Sequence, residues 1–103
     1  MLDVGPHSEC THLAPESKNL PDLFLRRVAH SGRLNAFFTK RDGSWRGTSW
    51  TQWSDTSHRV AAGLMSLGLE AGDRVAILGP TTSGWAEYEM GAQLAGCISL
   101  GIY

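Results

Sequence analysis

The chain has 103 residues, 42% hydrophobic and 18% charged, with nine Lys and Arg against ten Asp and Glu for a formal net charge of -1. These values fit a folded globular sequence of one domain at most, and they exclude a highly charged disordered tail. The basic residues stand singly apart from Arg26-Arg27 and Lys40-Arg41, so the sequence shows no extended patch for nucleic acid or an anionic membrane.

No apolar run approaches the roughly 18 to 20 residues that span a bilayer, and the polar stretch from Met1 to Asn19 lacks a signal peptide's apolar segment. The expected location is cytoplasmic, with a peripheral membrane role left open. Cys10 and Cys97 are too few for a disulfide scaffold and are expected as free thiols. His7, Cys10 and His12 are three potential zinc ligands, but they sit in a Pro- and Ser-containing leader with no fourth ligand nearby. Residues 1–19 are accordingly expected to be a flexible polar leader, and residues 20–103 a partial domain.

Asn19 can cap a first helix that tolerates Pro21 in its opening turn; Leu20, Leu23, Phe24, Val28 and Ala29 recur at helical spacing until Ser31-Gly32. Ala36–Thr39 and Trp45–Trp50 then flank Lys40-Arg41-Asp42-Gly43-Ser44, where Asp-Gly suits the tight turn of a β-hairpin. The aromatic residues of the hairpin are expected on a core face rather than stacked on a nucleotide base.

Thr51 is the expected cap of a second helix, buried along Trp53, Val60, Ala61, Leu64 and Leu67 and stopped by Gly68. His58 and Arg59 lie on it without a chemical partner placed by spacing, so solvated or locally paired side chains are expected. Gly72-Asp73 turns the chain into Arg74–Gly79, whose continuous apolar center predicts a strand buried on both faces of a parallel sheet. After the turn Pro80–Gly84, a helix is expected from about Trp85 to Ala95, with Trp85, Tyr88, Ala92 and Ala95 inward. Gly96 ends it, and Cys97–Ile102 forms a second strand.

Strand, helix and strand in this order predict one right-handed parallel βαβ unit. With so few strands, open edges and an uncovered face are expected, and further sequence after Tyr103 is expected to complete the sheet.

Gly79-Pro80-Thr81-Thr82-Ser83-Gly84 joins strand to helix, the place where backbone N–H groups can hold an anion. Its glycines have P-loop spacing, yet Trp85-Ala86 replaces the Lys and Ser or Thr that would hold phosphate and magnesium. Thr81, Thr82 and Ser83 are expected to cap the helix instead. Ser83 lies outside a nucleophile elbow, Cys97 is expected as a buried structural thiol, and Glu87 and Glu89 would point in different directions on a helix.

The ordered series Leu20-Pro21-Asp22-Leu23-Phe24, Lys40-Arg41-Asp42-Gly43-Ser44-Trp45, Ser49-Trp50-Thr51, Ala61-Ala62-Gly63-Leu64, Leu67-Gly68-Leu69, Gly72-Asp73-Arg74-Val75-Ala76-Ile77, Trp85, Gly91-Ala92 and Gly101-Ile102-Tyr103 resembles the N-terminal part of the adenylate-forming (AMP-binding) enzymes. Within them it is most similar to the long-chain fatty acid CoA ligases. The resemblance implies an α/β fold, here an incomplete N-terminal subdomain with a helix, a β-hairpin, a helix and one βαβ unit. It also implies ATP, Mg2+ and CoA as cofactors and co-substrates of the full-length enzyme, which would join a fatty acid to CoA through an acyl-adenylate.

The family's phosphate loop, magnesium-binding Glu and adenylation Lys lie beyond the matched stretch. No catalytic, cofactor-binding or metal-binding residue is therefore assigned, and the chain alone is expected to be inactive. The expected partner is the remainder of the ligase chain or a complementing subunit. The alternatives are a non-catalytic interaction module that completes its sheet with another chain, and a small nucleotide-binding domain built on the turn at 79–84.

Overall fold

The computed structural model describes residues 17–103, so the cluster His7, Cys10, His12 and most of the expected leader lie outside the described residues. The described chain runs α1 (Leu20–Ser31), β1 (Asn35–Arg41), β2 (Ser44–Ser49), α2 (Trp50–Ser66), β3 (Arg74–Leu78), α3 (Ser83–Leu94) and β4 (Ile98–Ile102). This is the expected mixed α/β order of helix, antiparallel hairpin, helix and parallel pair. The chain divides into two compact units, one through Ser54 and one from Asp55, with α2 running from the first into the second.

In the first unit Asn19 Oδ1 accepts the Asp22 N–H at 2.8 Å, and Pro21 sits in the first turn, where a missing N–H costs nothing. The buried face of α1 is Phe24, Arg27 and Ser31, whereas Leu20 is 63% exposed and Ala29 is exposed. The expected stripe is thus rotated. Its anchor is aromatic: Phe24 meets Trp53 edge-on at 4.8 Å between centroids, Phe37 meets Trp53 at 5.4 Å, and the Arg27 guanidinium lies 5.4 Å from the Trp50 ring. Such pairs add directional attraction to area burial, and the long Arg stem packs as an apolar body. Of the hairpin aromatics, Phe37 faces this core, Phe38 is half-buried, and Trp45 is 64% exposed.

The hairpin turns at Asp42 (φ 50°) and Gly43 (φ 79°), the paired positive φ values of the turn that matches strand twist. Its register pairs Phe38 with Gly47, Lys40 with Trp45 and Arg41 with Ser44, with a bulge between Asn35 and Phe37. The second strand ends at Ser49, and Trp50 already belongs to α2. Ser49, rather than Thr51, caps that helix: Ser49 Oγ accepts the Gln52 N–H at 3.1 Å while Gln52 Oε1 accepts the Ser49 N–H at 2.9 Å. This reciprocal capping box leaves Thr51 free to be an ordinary first-turn residue whose N–H donates to the Gly32 carbonyl at 3.1 Å.

In the second unit α2 and α3 end alike. The Leu69 N–H reaches the Leu64 carbonyl and the Gly68 N–H the Met65 carbonyl; the Cys97 N–H reaches the Ala92 carbonyl and the Gly96 N–H the Gln93 carbonyl. Gly68 (φ 95°) and Gly96 (φ 80°) supply the left-handed residue that this double bond pattern needs. Leu67 is 79% exposed, not buried as expected, because the helix has ended at Ser66 and the chain is already turning.

Strands β3 and β4 pair in parallel from Arg74 with Ile98 to Leu78 with Ile102. The Gly72 N–H donates to the Gly96 carbonyl and the Ile98 N–H to the Asp73 carbonyl, which ties the two strand entries together. β3 was expected to be buried on both faces. Instead Val75 and Ile77 are half-buried while Arg74, Ala76 and Leu78 are exposed, and Ile98, Leu100 and Ile102 are exposed with them. Helix α3 covers one face of the pair only, as the topology of a single crossover requires.

Candidate functional site

In open parallel sheets, ligands approach the carboxyl ends of the strands, which here are the turn after β3 and the end of β4. Helix α3 begins at Ser83, two residues earlier than expected, with Thr82 at the cap position in extended conformation. Its side chain makes no cap hydrogen bond; the turn closes through the backbone, with the Trp85 N–H donating to the Thr82 carbonyl at 3.1 Å. Thr81 and Thr82 are exposed.

The Trp85 ring stacks on Tyr103 at 5.6 Å between centroids and 12° between planes. It also covers Gly101, where an added Cβ would come within 3.0 Å of the Trp85 ring. A glycine inside a strand often marks such a close approach, and that is the one signal by which the sequence could have given this stack away.

The donor set at this end does not fit a nucleotide triphosphate. No cation stands in the segment Gly79–Ala86, and the residues at the Lys and hydroxyl positions of a phosphate loop are Trp85 and Ala86.

Other candidates stay apart. Cys97 is 7% exposed and its Sγ lies 3.7 Å from the Glu70 carbonyl oxygen, a weak donor contact that holds the thiol inside the loop joining the strand entries. Glu87 is half-buried and Glu89 exposed on α3. Tyr88, expected inward, is 57% exposed; Gly91 and Ala92 are the buried residues of α3. His58 and Arg59 are exposed on α2. Among the described residues no three His, Cys, Asp or Glu side chains gather as a metal site, and no helix is long and apolar enough to cross a membrane.

One carboxyl is electrostatically distinct. Asp22 Oδ2 accepts the Lys18 backbone N–H at 2.9 Å, and the Arg26 Nε lies 3.3 Å away. The backbone hydrogen bond, with help from the guanidinium, holds the Asp22 carboxyl below its ordinary range. It serves the first turn of α1, far in sequence from the turn after β3.

The family model for the AMP-binding enzymes matches residues 24–103. The chain belongs to this family. Among curated AMP-binding relatives, it is 33% identical over 84 residues to the long-chain-fatty-acid–CoA ligase ACSBG2 of Rattus norvegicus, covering 82% of this chain and 13% of that protein. It is 36% identical over 81 residues to ACSBG1 of Mus musculus, covering 79% of this chain and 11% of that one. The chain thus spans about one eighth of the length of the curated relatives it matches.

Solved AMP-binding structures agree on the fold. The fatty acyl-adenylate ligase from Legionella pneumophila, solved with acyl adenylate and pyrophosphate, superposes with a TM-score of 0.80 at 25% identity, over 86% of this chain and 16% of that one. The fatty acyl CoA synthetase of Mycobacterium tuberculosis superposes with a TM-score of 0.73 at 28% identity, over 84% of this chain and 17% of that one. The helix, hairpin, helix and βαβ unit are therefore the N-terminal architecture of the adenylate-forming ligases, as the resemblance implied.

Proposed function

We propose that this chain is the N-terminal scaffold of a fatty acid–CoA ligase of cytoplasmic location. In such an enzyme a fatty carboxylate attacks the α-phosphate of ATP, releasing pyrophosphate, and the CoA thiol then displaces AMP to leave the thioester. The observation that carries the reading is the unbroken match of residues 24–103 to AMP-binding enzymes whose curated relatives are long-chain fatty acid CoA ligases. Transfer of an adenylyl group needs cations and hydrogen-bond donors aimed at the phosphates, and the strand ends described above offer Trp, Tyr, Thr and Gly instead. On this reading the reacting groups belong to the part of the relatives' length that these residues do not span.

Two measurements test it. Reading the coding frame past Tyr103 is expected to show a Ser/Thr/Gly-rich loop ending in Pro-Lys-Gly; an immediate stop codon would overturn the ligase scaffold. In an ATP–pyrophosphate exchange assay with palmitate, the 103-residue chain is expected to stay at background. Exchange above background would show that chemistry resides within these residues after all.

A further inference from the structure

Residues Lys40–Gly47 are all exposed, and they carry three of the chain's nine cations, Lys40, Arg41 and Arg46, against one acid, Asp42. Along the sequence these charges look scattered. The hairpin gathers them: Lys40 stands opposite Trp45, Thr39 opposite Arg46 and Arg41 opposite Ser44, so all three cations fall in the three residue pairs next to the turn. Trp45 shares a face of the hairpin with Lys40, 64% exposed and with the Lys40 ammonium 6.0 Å from its ring, while Arg41 and Arg46 belong to the other face. The eight-residue tip thus holds a net charge of +2 on a chain whose net charge is -1.

An exposed indole with Lys40 on its own face of the tip, and Arg41 and Arg46 on the other, has the chemistry of a bilayer interface entered edge-on. Trp settles at headgroup depth, where its apolar ring meets acyl chains and its N–H stays hydrated. Lys and Arg stems can follow it down while their charges stay with lipid phosphates. A nucleic acid fits less well, since three cations at one turn with a single aromatic neither track a phosphate backbone nor form a stacking platform.

We propose that the β1–β2 hairpin tip is a peripheral contact for anionic phospholipid bilayers, with Trp45 as the inserted group and Lys40, Arg41 and Arg46 as the flanking charges on the two faces of the tip. The proposal stands on the hairpin alone and does not depend on the ligase reading.

The test is flotation of the 103-residue chain with vesicles of phosphatidylcholine alone or mixed with phosphatidylserine. Binding is expected to be at least about tenfold stronger on the mixed vesicles and to weaken in high salt, with each juxtamembrane charge contributing about fivefold. The variant K40E/R41E/R46E should fall to the phosphatidylcholine level. Because every altered side chain is exposed, circular dichroism should match the parent chain.

Depth is read from quenching by brominated acyl chains, which should be lost in W45F while Trp50, Trp53 and Trp85 still fluoresce. Equal binding to both vesicle types, unchanged binding of the charge-reversed variant, or full quenching in W45F would each overturn the proposal, the last by pointing to the exposed β3–β4 face. Heparin binding without vesicle binding would overturn it in favor of a soluble polyanion.

Discussion

Ser57 is fully buried, and its Oγ has no hydrogen-bond partner. A buried hydroxyl without a partner forfeits its hydration and gains nothing in return, so Ser57→Ala is expected to leave stability unchanged or raise it by up to about 1 kcal/mol, as read from urea unfolding. A loss of more than that would mean the hydroxyl is bonded after all. Asp22 is different, because its bonds stabilise the charged form. Its folded-state pKa lies below the unfolded one, so the contribution is present above the ordinary carboxylate range and disappears as pH falls through the depressed value. A proton titration of the Asp22 side chain by NMR should place its midpoint below that of a model Asp peptide. Protonation of Asp22 is expected to loosen the first turn of α1 as pH falls, and the Asp22→Asn variant should lose that pH dependence.

Among the elements, α2 and α3 approach closely at Gly91, where an added Cβ would lie 2.5 Å from Val60 Cγ1 and 2.9 Å from the Ser57 carbonyl oxygen. Gly91→Ala gains about 1 kcal/mol of helix propensity but forces these groups apart, and overpacking of this kind typically costs about 1–3 kcal/mol. Net destabilisation is expected in thermal unfolding, with Gly63→Ala, in open space on α2, as the stabilising control.

Element type and order were legible because period, turn chemistry and glycine stops agree: Asn19, Asp42-Gly43, Gly68 and Gly96 all act where local chemistry places them. Element faces were less legible. The rotation of α1 toward Arg27 and Ser31 follows from the Trp50 and Trp53 rings, which come from another helix and leave no periodic trace in α1 itself. The start of α2 was misplaced because Ser49 and Thr51 are both competent caps, and only the reciprocal Gln52 bond decides between them. Of the candidate site, the turn and its lack of a cation were visible in the sequence. The stacking of Trp85 on Tyr103 was not, since it depends on how α3 lies over β4.

For the molecule as a whole, one face of the β3–β4 pair gathers four exposed apolar side chains, with Leu78 75%, Ile98 55%, Leu100 55% and Ile102 42% exposed. Contiguous apolar surface of this kind drives association of an isolated chain. The double variant L78S/L100T is expected to reduce the aggregated fraction in light scattering while changing stability by no more than about 0.5 kcal/mol, because side chains already in water lose no burial. The same strand pair also sets an order of events in time. Arg41 pairs with Ser44 across a two-residue turn, whereas Arg74 must wait for Ile98, some two dozen residues further along. Local hairpins close in about microseconds, and long-range parallel pairing is slower. A nascent chain emerging from the ribosome can therefore zip β1 to β2 while β4 is still unsynthesised. In pulse-labelled hydrogen exchange, the amides of Thr39 and Arg41, which lie in the hydrogen-bonded pairs of the hairpin, should gain protection ahead of those of β3.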